Sequence, residues 1–161
     1  MELRFVFLLD VAGTFLAFGV LAGLYIWPRL RALPRSEALR ILSLPHMFRF
    51  EGLSFLFPGV VSPLLPAAVS IPPAWGDFGA AILALVSVAA LTRRWSFAIP
   101  LVWLLNVWGT IDLLNAYYQG ISLNINAGLF GAAFYLPGLV VPPLLIVHVM
   151  AFMLLVRPRV H

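Results

Sequence analysis

The chain has 161 residues, 63% hydrophobic and 10% charged, with a mean hydropathy of +1.04. A soluble domain is nearer a quarter charged, so this composition excludes a water-borne globule and makes lipid the outer solvent of a single polytopic membrane domain over residues 1–161. The net charge of +4 does not signal nucleic-acid binding, because the arginines cluster at the ends of apolar segments; the absence of cysteine excludes disulfides, CxxC redox chemistry, thiolate metal sites and c-type haem attachment.

The sequence predicts an all-α integral membrane protein, a bundle of five transmembrane helices over Phe5–Trp27, Leu39–Leu64, Trp75–Leu91, Phe97–Tyr118 and Gly128–Val156. The first reads as a retained span rather than a cleaved signal. Asp10 interrupts its apolar run, and it ends Tyr25-Ile26-Trp27 and then Arg29, without a small-residue cleavage site. Gly19 and Gly23 form a GxxxG pair that predicts a helix contact. Asp10, Gly13, Thr14 and Ala17 make a narrow small and polar face.

The first connection carries Arg29, Arg31, Arg35 and Arg40. The second is proline-rich without a basic residue, the third carries Arg93 and Arg94, and the fourth, Gln119 to Ala127, is uncharged. The tail carries Arg157 and Arg159. The arginine clusters therefore fall on one side, which predicts an external N-terminus and a cytoplasmic C-terminus, as in a bacterial inner membrane.

The second span holds the densest polar cluster, Leu44-Pro45-His46-Met47-Phe48-Arg49-Phe50-Glu51-Gly52. Ionisable groups in hydrocarbon are costly and face a bundle interior, a partner or a cavity. His46 and Arg49 are three apart and share a helical face, while Glu51 points elsewhere. Pro45 removes a backbone N–H and predicts a kink. At 1.5 Å per residue, His46 lies about 10 Å and Glu51 about 18 Å in from the cytoplasmic end. Arg49 stays protonated and needs an acceptor, for which Asp10, Asn106, Asp112 and His148 are the candidates across helices. Glu51 needs a partner of its own.

In the third span Gly76, Gly79, Ala80 and Ala84 predict close helix packing. Asp77 reads as an N-cap at the mouth of that helix, which makes the helix scaffold. Phe55-Leu-Phe-Pro-Gly-Val-Val-Ser-Pro63 matches Phe134-Tyr-Leu-Pro-Gly-Leu-Val-Val-Pro142 at five of nine positions, a pattern expected of inverted repeats in transporters.

The fourth span carries a polar stripe, Trp108, Asp112, Asn115 and Gln119, with Asn106 off it. Asp112 and Asp10 fall at similar depth and would share a site if their helices meet. The fifth span adds Tyr135, the Pro142-Pro143 pair and His148, about 13 Å from the cytoplasmic end and near the depth of His46. Two imidazoles at one depth are the minimum for axial ligation of a b-type haem, and they could equally hold a quinone.

P-loop, GxSxG, HExxH and EF-hand patterns and zinc-ligand spacings are absent from the sequence. The leading expectation is a bundle whose polar cavity, lined by Asp10, His46, Arg49, Glu51, Asn106, Asp112 and His148, binds a small lipophilic or redox ligand, quinone or haem, entering from the bilayer. Three alternatives stand beside it. They are a small secondary transporter acting as a homodimer, a non-catalytic accessory subunit of a larger membrane complex, and an intramembrane enzyme using His, Glu and Asp for proton transfer.

Overall fold

The structure is a computed structural model that describes residues 3–157; Arg159 and His161 of the expected cytoplasmic tail lie outside the described residues. The described chain is helical. Helix α1 (Leu3–Ala32) contains one π-helical turn, Ala22–Ile26, and is followed by the short α2 (Arg35–Ser43). A long 3₁₀ segment, Pro45–Leu56, leads through turns to α3 (Ala67–Thr92) and α4 (Ala98–Ser122). A second 3₁₀ stretch, Ala127–Phe134, precedes α5 (Leu136–Leu155), which opens with a π-helical turn. Helices α1, α3, α4 and α5 are long and apolar enough to cross a bilayer.

The stretch expected as the second span, Leu39–Leu64, is not one α-helix. Pro45 supplies no N–H to continue the α2 ladder, and the chain continues as 3₁₀ helix. At 3.0 residues per turn, side chains three apart stack in a row. The buried residues of this segment are His46, Arg49, Gly52 and Phe55, one such row. Together α2 and the 3₁₀ segment run antiparallel along α3. Phe55 packs with Val69 and Ala74, Arg49 meets Asp77, Met47 packs on Ala80 and Ala84, and Leu39 packs with Ala90 and Leu91.

Helix α3 begins at Ala67, earlier than the Trp75 read from sequence. Pro66 accepts a bond from Val69 N at 2.9 Å at its start, and Pro72 and Pro73 lie inside its first turns rather than in a loop. The fifth expected span also divides. Gly131 breaks the chain at φ +52°, a conformation that a side chain would strain, and its missing Cβ leaves room for the carbonyl of Val60. Ala132 N donates to Val60 O and Ser62 N to Leu129 O, both at 2.9 Å, so the two connecting segments are stitched together. The matched stretches Phe55–Pro63 and Phe134–Pro142 thus fold differently, one into turns and the other into helix, and do not form an inverted repeat.

One apolar cluster joins α1, α2, α3, α4 and α5 at the arginine-rich end, through Leu39, Leu42, Leu91, Val102, Val147 and Leu154. There Arg35 Nη2 donates to Leu155 O at 2.5 Å, and Arg157 lies over the Trp27 ring at 5.2 Å. A second cluster, with Phe55, Val69, Ala127 and Phe130, closes the opposite end. Helix α1 is peripheral and packs chiefly on α5. Its Gly19 and Gly23, expected at a helix contact, have no neighbouring atom where a Cβ would stand, whereas the small residues of α3 do pack on α4.

Candidate functional site

Between the two apolar ends lies a polar layer built on Arg49. Its place in the inward row of the 3₁₀ segment points the guanidinium at α3 and α4. Arg49 Nε donates to Asp77 Oδ1 at 2.6 Å, and Arg49 Nη2 donates to Asp112 Oδ2 at 2.6 Å. These are short, charge-assisted bonds. The Arg49 side chain is 1% exposed, those of Asp77 and Asp112 15% and 11%. The uncovered part of the triad therefore belongs to the acids.

Glycines admit these groups. A Cβ on Gly52 would land on the Asp77 carboxyl, and one on Gly76 would land on that of Asp112. A Cβ on Gly109 would come within 2.5 Å of His148 Nε2 and 2.6 Å of Arg49 Nη1. Trp108 Nε1 donates to Gly76 O at 3.1 Å and fastens α4 to α3 beside the triad.

Behind the triad, Asn106 Nδ2 donates to Val102 O at 2.7 Å, which leaves Asn106 Oδ1 as an acceptor. His148 Nδ1 lies 2.9 Å from that oxygen, so this nitrogen carries the proton. The His46 and His148 rings stack face to face, centroids 4.0 Å apart and planes 24° off parallel. Trans-axial haem ligation needs two ring nitrogens facing each other across the macrocycle. Stacked imidazoles do not offer this, so the expectation of a haem between His46 and His148 fails on geometry. Among the described residues no cluster of three or more His, Asp or Glu is arranged to hold a metal ion. Both ring nitrogens of His46, His148 Nε2 and Arg49 Nη1 are buried without a hydrogen-bond partner among the described residues.

A cavity of about 200 Å³ adjoins the triad. Its walls are apolar, with Phe7, Phe55, Val69, Leu113, Ile121 and Phe130, and its polar floor is Asp77 and Asp112. Its rim, at the end away from the arginine clusters, carries Arg4, whose Nη1 donates to Asn124 Oδ1 at 3.2 Å. Tyr117, on the wall, donates to Pro137 O at 2.8 Å and ties α4 to α5.

The structure brings together His46, Arg49, Asn106, Asp112 and His148 of the residues singled out from sequence, but of these only Asp112 lines the cavity. Glu51 is exposed. It falls under Phe48 in an outward row of the 3₁₀ segment, not inside the bundle as expected. Asp10 is also apart. It lies in a separate groove between α1 and α5 with Gly13, Thr14, Leu139 and Pro143, its Oδ2 against Gly138, so it does not share a site with Asp112. Sequence reasoning missed Asp77, which is no N-cap but the second carboxylate on Arg49. Its signal was an acid set among the small residues Gly76, Gly79 and Ala80 of a close-packing helix, in a chain with a buried arginine needing an acceptor.

No curated protein and no solved structure shows significant similarity to the chain. Residues 6–156 match the family model described as Domain of unknown function (DUF8737), and the chain belongs to that family.

Proposed function

We propose that this is a multi-pass membrane protein that binds a small lipophilic molecule inside the bundle, with Asp77 and Asp112 receiving its head group. In this reading α2 and the 3₁₀ segment together make a fifth crossing, and the arginine-rich end faces the cytoplasm. One observation carries the reading: an apolar cavity ends on two carboxylates that share a single guanidinium. The apolar walls select a lipophilic body. The volume is below the roughly 300–1,000 Å³ typical of drug-sized ligands, which favours a small one.

With both acids ionised the floor only accepts hydrogen bonds, which suits the hydroxyls of a hydroquinone or an amine; with one carboxyl protonated it also offers a donor to a carbonyl. The stacked histidines and Arg49 form the rigid backing of the site rather than its lining.

The test is retention of ligand. Protein purified in mild detergent is extracted and its lipophiles are identified by mass spectrometry, beside Ala116→Phe, which places a ring in the cavity. Wild type should carry a lipophile that the variant lacks. Identical extracts from the two proteins would refute the assignment.

A further inference from the structure

We infer that the ligand's head group is a cation, and that it exchanges with a proton held by the Asp77–Asp112 pair; the inference rests on the lipophile-binding reading above. Two carboxylates and one guanidinium form a single hydrogen-bonded group, so the triad is one positive charge short of neutral. An uncompensated charge inside a membrane bundle is costly. Either a proton or a bound cation supplies the balance.

Geometry then says from where. Arg49 contributes nothing to the cavity lining, whereas both acids do. The cavity therefore meets the anionic side of the group. Each acid gives one oxygen to Arg49 and keeps the other free of any side-chain bond to it.

The other charged and titratable groups do not cancel this. Arg4, on α1, stands at the open rim bonded to Asn124, where water and salt screen it over about 8 Å. His46 on the 3₁₀ segment and His148 on α5 form the stacked pair on the far side of the polar layer from the cavity, and His148 turns its N–H to Asn106. Tyr117 on α4 spends its hydroxyl on Pro137 O, and Asp10 on α1 lines the other groove.

The cation is organic. A hard inorganic ion of the calcium type takes about six to eight oxygen ligands, and the floor offers two carboxylates under apolar walls. A primary ammonium has three N–H donors and an apolar stem, which matches both features. The exchange is balanced: the ammonium enters as R–NH₃⁺, one carboxyl releases H⁺ to water, and no bond to carbon or electron is transferred.

The experiment uses full-length protein in nanodiscs and two probes of equal shape, 3-phenylpropylamine and 3-phenylpropanol. Binding is followed by calorimetry in two buffers of different ionisation enthalpy, with Ala116→Phe nanodiscs as the blank for partition into lipid. The amine should bind at least about tenfold tighter than the alcohol, release one proton per amine, and weaken by up to about tenfold per unit as pH falls through the range where the site holds that proton. Asp112→Asn should keep the alcohol and lose the preference for the amine. Equal binding of both probes without proton release overturns the cation and leaves the lipophile reading standing. Binding of neither probe above the blank overturns both.

Discussion

Arg49→Leu removes the one cation of the polar layer while keeping an apolar side chain of useful bulk. Two short charge-assisted bonds disappear, one to each acid, and two carboxylates lose their partner at once. Breaking a buried ion pair from one side costs about 3–5 kcal/mol. The acids are 15% and 11% exposed, so the cavity relieves part of that, but both are stranded, and a loss near 4 kcal/mol is expected. For a chain of this size a loss of 1 kcal/mol lowers Tm by about 2–4 °C, so the drop should be on the order of 10–15 °C. The assay is thermal unfolding in one detergent, followed by tryptophan fluorescence. The companion variant is the triple neutralisation Arg49→Leu, Asp77→Asn and Asp112→Asn. Replacing a whole buried ion group by neutral residues of similar volume is often close to neutral in stability, so the triple variant should regain most of the loss. If Arg49→Leu melts within about 2 °C of wild type, or if the triple variant melts below the single one, the triad does not hold the polar layer together.

Other expectations follow from the same packing. Gly109→Ala should destabilise by about 1–3 kcal/mol, since its methyl meets His148 and Arg49, whereas Gly19→Ala should leave Tm unchanged; equal effects in a melting assay would show that the fit around Gly109 is loose. Glu51→Gln should alter neither Tm nor ligand retention, because that side chain faces outward, and a loss of either would place it inside the site. Tyr117→Phe should cost about 1 kcal/mol, the usual worth of one hydrogen bond, measured in the same melts; no change would mean that the bond to Pro137 O is not formed. A reporter inserted between Arg93 and Arg94 should read cytoplasmic and one at Asn124 external, and the reverse pattern would rule out the proposed orientation.

Much of the polar layer was legible because charge in an apolar chain has few places to go. His46 and Arg49 were expected on one face, and an arginine at that depth required an acceptor. The same three-residue spacing runs on to Gly52 and Phe55, but at 3.6 residues per turn it drifts around a helix. Only the 3₁₀ pitch, which tertiary contacts sustain over a length unusual for that helix, turns it into a row. The same pitch sends Glu51 outward. Asp77 was misread because Pro72-Pro73 signals a loop, whereas α3 starts at Ala67 and carries both prolines. That puts Asp77 about 15 Å along the helix instead of about 3 Å, in the interior rather than at the mouth. The stacking of His46 on His148 was not legible at all, since equal depth does not fix how two rings face each other.

Pro45–Leu56 rises about 2.0 Å per residue, against 1.5 Å in an α-helix. Its twelve residues therefore reach about 24 Å where an α-helix would reach about 18 Å. Recoiling into α-helix would draw the two ends of the segment together by roughly 6 Å and turn Phe55 about half a revolution away from His46. Neither change can occur while Arg49 is fastened to α3 and α4 and Phe55 is wedged against Phe130. The segment is thus an extended coil clamped at two points, and its length and its rotation are held by the same two clamps.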